Sequence, residues 1–243
     1  MPISPNQGST GGGFPATLTG TGLTGATMVH FGNKTATITA TSPTSVSVVA
    51  PSGAGVVDTT VTTPGGTSSP VPFFYVPPPV VVDVSPSSGP VAGGGTVTVT
   101  GRGLATADSV LFGDTAVTPT VVSDSELTAV SPAHATDEVS LVVTARGGTA
   151  TASETFAFVP APTVTGFSPL TGLPAGGTLV DITGTALATT TGVTFDGTPA
   201  TFAVLSDTRV AAVAPSHATG AVTITVTTTG GSDAAPGVFL YIL

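Results

Sequence analysis

The sequence predicts an all-β chain of three tandem β-sandwich domains forming an elongated rod. Three observations carry this reading. A set of marker residues recurs three times, apolar residues alternate with period two, and Gly, Pro and Asp turn signals break the chain at short intervals.

The repeat is the strongest of the three. Ser4–Pro5, Ser85–Pro86 and Ser168–Pro169 recur at spacings of 81 and 83 residues. Gly20, Gly101 and Gly184 keep those steps, as do Leu23, Leu104 and Leu187, Phe31, Phe112 and Phe195, and Pro51, Pro132 and Pro215. Each unit ends on aromatics: Phe73 and Tyr75, Phe156 and Phe158, Phe239 and Tyr241. Proline clusters at 76–80 (VPPPV) and 159–163 (VPAPT) mark the joints as short, stiff, extended linkers. The expected domains are therefore 1–76, 77–159 and 160–243.

Inside a unit the strands follow in order. Residues 80–84 and 163–167 form an extended run before the Ser–Pro pair, whereas unit one has only residues 1–3 there, so its first strand is expected to be truncated. Next, TVTVTG places Val97 and Val99 on one face and Thr96, Thr98 and Thr100 on the other. Unit three repeats this with Val180 and Ile182 inward and Asp181 outward. In the Gly-rich run 92–113, Gly93, Gly94 and Gly95 are expected to turn the chain into that strand. Gly101 and Gly103 should end or kink it, and Gly113 should start a hairpin. Later strands put Val139, Leu141 and Val143, and then Val222, Ile224 and Val226, on inward faces. No segment reads as a helix.

Composition narrows the function. The chain has 243 residues, 40% of them apolar, with net charge −9 and only four Lys or Arg residues: Lys34, Arg102, Arg146 and Arg209. Four scattered cations cannot build a phosphate-neutralising stripe, which argues against nucleic acid. No apolar stretch approaches a transmembrane span. There is no cysteine, and the first ten residues do not read as a signal peptide. The low Lys content and the Ala, Gly, Thr and Val bias suggest a bacterial source.

The ordered markers resemble those of IPT/TIG domains, an immunoglobulin-like family. Unit two carries them most fully: Ser85–Pro86, Gly94, Gly95 and Thr96, Gly101, Leu104, Phe112–Gly113, Pro132, Gly147, Gly148 and Thr149, and Phe158. Unit three departs at Asp196, where Gly197 is expected to take over the turn, and unit one has Phe14 in place of Gly95. The resemblance implies an immunoglobulin-like sandwich used as a spacer or binding module, not a catalyst. Family members include cell-surface receptors, bacterial adhesins, extracellular enzymes and the dimerisation regions of some transcription factors. The basic DNA-contacting parts of those last relatives have no match here.

Catalytic and cofactor chemistry finds little footing. GTGLTG at 20–25 fits G-x-G-x-x-G but precedes a strand-like stretch, and it becomes GRGLAT and GTALAT in the other units. A dinucleotide site needs a helix after the glycines. His30, His134 and His217 lack the close spacing of a metal site. No G-x-S-x-G elbow is present. Unit two holds eight of the thirteen acidic residues. Asp137 and Glu138, or Asp83 at a joint, are the weak Ca²⁺ candidates, without a Ca²⁺-loop motif behind them. Solubility is the simpler role for these charges. No cofactor is expected. Asn33–Lys34–Thr35 fits the N-glycosylation rule, a frequent chance match.

The expected function is a non-catalytic structural or adhesive repeat protein, extracellular or on the cell surface, presenting its domains to a protein or surface polymer. The alternatives are a carbohydrate-binding module or an assembly component of a phage-like tail or fibre. The picked contact loops span 105–109, 123–126 and 133–137 with their counterparts in unit three. Their candidate residues are Asp108, Asp124, Glu126, His134, Asp137, Asp207 and His217. The short first strand and the apolar tail GVFLYIL suggest end-to-end self-association.

Overall fold

A computed structural model describes residues 1–243. Contacts divide it into two compact units. One holds Met1–Val84, Thr98–Ala129 and Leu141–Ser153; the other holds Ser85–Val97, Val130–Ser140 and Glu154–Leu243. Repeat one lies wholly in the first and repeat three wholly in the second.

In repeat one the strands follow a single curled path. Ile3–Ser4, Pro15–Thr19, Ser45–Val49 and Lys34–Thr41 lie side by side, and the path continues through Met28–Phe31, Gly55–Thr63, Val71–Val76 and Gln7–Ser9. Lys34–Thr41 turns the corner: Lys34 to Ala36 pair with 29–31, and Thr37 onward with 46–49. The N-terminal segment also changes sides. Ile3 and Ser4 pair antiparallel with Leu18 and Thr17, and after Pro5 residues 7–9 pair in parallel with 74–76. The Ser4–Pro5 peptide is cis, as are Ser85–Pro86 and Ser168–Pro169. The strand expected to be short spans two residues, against six for Val80–Ser85 and Thr163–Ser168.

Repeats two and three each open into separate sheets. Val80–Ser85, Thr96–Arg102, Glu126–Val130 and Thr120–Ser123 form one sheet of repeat two. Ser88–Pro90, Gly148–Val159, Asp137–Ala145, Ala107–Phe112 and Thr115–Val117 form the other. Repeat three has the first sheet as Thr163–Ser168, Leu179–Thr185, Arg209–Val213 and Thr201–Ser206. Its second sheet is split. Thr171–Gly172, Phe239–Tyr241 and Gly220–Val222 make one piece; Thr198–Pro199, Thr190–Phe195, Ile224–Thr228 and Gly231–Ala234 make the other. The split falls at Pro236, which has no N–H for a ladder, and at Gly237 with φ 84°.

Alternation sets the cores. Leu18, Val29, Val46, Val48, Val61 and Phe73 are buried in repeat one, and Val180, Ile182, Leu187, Phe195, Val210 and Phe239 in repeat three. The closing aromatics stack edge-to-face in each repeat: Phe73 with Tyr75 at 5.1 Å, Phe156 with Phe158 at 5.1 Å, and Phe239 with Tyr241 at 5.0 Å. Burying each ring contributes roughly 2–3 kcal/mol.

The Gly-rich run differs from expectation in detail. Gly93 and Gly94 make the turn with positive φ and Gly113 makes the hairpin, but Gly95 has ordinary backbone geometry. Gly101 does not end the strand. It lies within Thr96–Arg102, buried, where an added Cβ would collide with the Val80 carbonyl. Gly103 leads into a short 3-10 turn, Leu104–Thr106, the helical element that the alternation did not foretell. At the third hairpin Gly197 takes left-handed backbone, φ 81°, as expected, but it shares the turn with the residue before it. Asp196 itself takes φ 48° and its N–H donates to Thr223 O at 2.8 Å, as the Gly32 N–H does to Asp58 O in repeat one.

Candidate binding site

The residues picked from sequence fall in several places and do not converge. Asp108 is on the strand Ala107–Phe112 rather than in a loop. Asp124 sits in the turn before Glu126, which is half-buried at the head of its own strand. The Asp124 carboxylate accepts from the Gly103 N–H at 3.2 Å, and its carbonyl accepts from the Leu104 N–H at 2.9 Å. Asp207 does the same for Ala188, at 3.3 Å, and Leu187. These two aspartates hold the turn that seats a buried leucine. Asp137 accepts from the Glu138 N–H at 2.8 Å, and Glu138 accepts from the Thr155 hydroxyl. No group of three His, Asp or Glu side chains is placed to hold a metal ion.

His134 and His217 lie flat on the closing aromatic strand. The His134 ring stacks on Phe158 at 4.7 Å and the His217 ring on Tyr241 at 5.1 Å. Each backbone N–H is tied down at 2.9 Å, to Val91 O and to Pro174 O. Repeat one makes the same backbone bond, from Gly53 N–H to Thr10 O at 3.0 Å, but carries no side chain there. Tyr75 packs against Gly53 and donates to Pro51 O at 2.7 Å. Burial pushes the Tyr75 and Tyr241 phenols above their ordinary value.

Among the concavities of repeat one and its compact unit, two combine polar groups with an aromatic ring. A cavity of about 700 Å³ is lined by residues 3–9 and 12–14, with Ala145, Arg146 and Gly148. Its polar groups come from Ser4, Asn6, Gln7, Ser9 and the cationic Arg146, and its apolar part includes Phe14, stacked on Phe73 at 5.6 Å. A second, of about 420 Å³, lies within repeat one among Thr10, Phe31, Asn33, Lys34, Ser52, Val57 and Tyr75. The Lys34 ammonium donates to Ser52 Oγ at 3.1 Å. Alternation and turn spacing gave no sign of either. The available signals were Lys34 as the only lysine and Gly53 standing where the other repeats have histidine.

The IPT/TIG domain model matches residues 1–75, 79–158 and 162–241. The chain belongs to the IPT/TIG family. Its domains are structural, non-catalytic units of immunoglobulin-like fold, here in three tandem copies. The chain is similar to several solved structures, and the one at TM-score 0.50 shares its fold. The extracellular region of plexin A4 matches over 90% of this chain and 21% of its own, at 20% identity and TM-score 0.50. A Bacteroides ovatus mixed-linkage glucan utilization locus protein, SGBP-B, in complex with a mixed-linkage heptasaccharide, matches over 94% of this chain and 61% of its own, at 17% identity and TM-score 0.33. The I9–I11 tandem of titin matches at 8% identity and TM-score 0.33, over 97% of this chain and 95% of its own. This IPT/TIG chain spans about a third of the plexin A4 chain that covers domains 1 to 8. No curated protein matches by sequence. No helix is long and apolar enough to cross a membrane.

Proposed function

We propose that this IPT/TIG chain is a non-catalytic polysaccharide-binding repeat protein acting outside the cell or on its surface. The observation that carries this reading is the 700 Å³ cavity bordered by Ser4, Asn6, Gln7 and Ser9 beside Phe14. Carboxamides and hydroxyls both donate and accept, which suits sugar hydroxyls. The Phe14 ring beside them adds apolar surface for the C–H groups of a pyranose. The absence of Trp, a common sugar platform, makes this a hydrogen-bonding site first. Titration of the protein against a panel of soluble neutral polysaccharides in affinity gels tests it. Retardation by at least one polymer, relieved by the double substitution Asn6→Ala with Gln7→Ala, supports the reading. No retardation across the panel, or retardation untouched by the substitutions, removes it.

A protein partner is the second reading, and one feature favours it. Thr201–Ser206 is the outer strand of its sheet, carries no charge, and exposes Val204 and Leu205. An uncharged edge strand is a template for strand addition. Asp108, Asp124, Glu126, His134, Asp137, Asp207 and His217 remain proposed contacts for such a partner. Asp124 and Asp207 are the weakest of them, because their carboxylates already serve the turn.

A further inference from the structure

We propose that the second cavity of repeat one, between Lys34 and Tyr75, binds a carboxylate-bearing sugar: a uronic acid unit of a polysaccharide. The inference rests on the glycan-binding reading and names an acidic subsite distinct from the Asn6–Gln7 cavity.

Three positions at this pocket differ from their counterparts in the other repeats. Matching Phe31, Phe112 and Phe195 aligns Lys34 with Thr115 and Thr198, and Asn33 with Asp114 and Gly197. Matching Pro51, Pro132 and Pro215 aligns Gly53 with His134 and His217. In repeats two and three an imidazole covers the closing aromatic ring. In repeat one that imidazole is missing, and a cavity of about 420 Å³ stands beside Tyr75. The same repeat places a cation and a carboxamide on its rim, where repeat two has Thr115 and a carboxylate, Asp114, that would repel an anion.

The chemistry of the lining follows one ligand class. Lys34 is held toward the pocket by Ser52 at 3.1 Å and has no carboxylate partner; the ion pair of the structure joins Arg209 to Asp181. Asp58, the one acidic residue of repeat one, is exposed and next to Val57 in the strand Gly55–Thr63. Alternation turns Asp58 to the face opposite Val57, which lines the pocket. An anion at Lys34 therefore meets no opposing charge from its own repeat. One ammonium without a nest of backbone N–H groups fits a single carboxylate better than a phosphate. Asn33, Ser52 and Thr10 supply donors and acceptors for hydroxyls, and Val57, with the largely buried Phe31 and Tyr75, lines the apolar side.

The test uses the full chain, tri-galacturonic acid and its methyl ester, read by calorimetry and by ¹⁵N amide shifts. At low salt the acid is expected to bind about fivefold tighter than the ester, the scale of one exposed ion pair. The preference shrinks as salt rises. Amide shifts should fall at Asn33, Lys34, Ser52 and Gly53. Lys34→Met should abolish the preference while leaving the melting temperature and the neutral-glycan retardation unchanged, and Arg146→Met should preserve it. Equal affinity for acid and ester, a preference that survives Lys34→Met, or shifts confined to residues 3–14 and 145–148 would each overturn the proposal. Neutral-polymer binding that persists in those cases leaves the broader glycan reading standing. A panel without neutral binders but with Lys34-dependent binding of the acid would remove the Asn6–Gln7 site and support this one.

Discussion

The Tyr241 hydroxyl donates to the Pro215 carbonyl at 2.8 Å, and Tyr75 repeats the bond to Pro51 at 2.7 Å. Both rings are buried, at 1% and 5% exposure. Each hydroxyl therefore ties the closing strand to the loop after the late proline. Tyr241→Phe and Tyr75→Phe should each cost about 1 kcal/mol in the repeat that carries them, measured by calorimetric unfolding. The pH dependence follows from burial, which raises both phenols. Stability from the neutral phenols is complete below the ordinary value of 10.0 and is lost as pH rises through the higher folded-state value. The double Phe variant should lose less stability than the wild type between pH 9 and 11 (about the phenol range).

Repeat two has Phe158 at the same position. Its ring meets Phe156 at 5.1 Å and 72°, the geometry of Phe73 with Tyr75. A tyrosine seated at 158 as Tyr75 is seated would aim its hydroxyl at the Pro132 carbonyl, the counterpart of Pro51. Phe158→Tyr should form the missing bond and stabilise repeat two by up to about 1 kcal/mol. Unfolding at unchanged or lower temperature would show that His134, stacked on this ring, does not leave room.

The second glycine marker separates repeat one from the others. Gly20, Gly101 and Gly184 make the same hydrogen bond, to Thr44 O, Ser125 O and Thr208 O. A Cβ at Gly101 or Gly184 would strike the carbonyl of the first strand, at Val80 or Thr163. At Gly20 it would meet only side-chain atoms, the nearest from Met1 at 3.5 Å, because the two-residue first strand does not reach that far. Gly101→Ala and Gly184→Ala should each destabilise by about 2–3 kcal/mol, the scale of overpacking. Gly20→Ala should change stability by less than about 0.5 kcal/mol. Thermal melts of the three single variants decide it.

Period-two alternation exposed the sheets because burial on one face of a strand is written into every second residue. Val97 and Val99, or Val180 and Ile182, needed no partner to be read. The repeat markers were legible for a different reason: Leu104, Phe112 and Pro132 recur in a fixed order. The cavities were not legible, since they depend on what a position lacks. Gly53 looks like any loop glycine until His134 and His217 are seen stacked on the equivalent rings. Lys34 looks like a solvated charge until Ser52 is seen to orient it. The roles of Asp124 and Asp207 were also hidden. A carboxylate in a turn reads as an exposed contact, whereas its partner is the N–H of a residue about twenty positions earlier.

The turn those aspartates hold also offers a stabilising change. The residue before the buried leucine is Gly22, Gly103 and Ala186 in the three repeats. All three take left-handed backbone, with φ of 71°, 71° and 56°. The sequence motif dissolves in repeat three, but the turn it encodes does not: Leu187 is still buried and its N–H still reaches Asp207 O at 2.9 Å. Holding an alanine there costs roughly 1 kcal/mol that a glycine avoids. Ala186→Gly should therefore raise the stability of repeat three by about 0.5–1 kcal/mol, despite the greater freedom glycine gives the unfolded chain. Gly103→Ala should lower that of repeat two by a similar amount. Paired calorimetric scans of the two variants test both directions. A loss on Ala186→Gly would mean that the methyl group makes a packing contact worth more than the backbone relief.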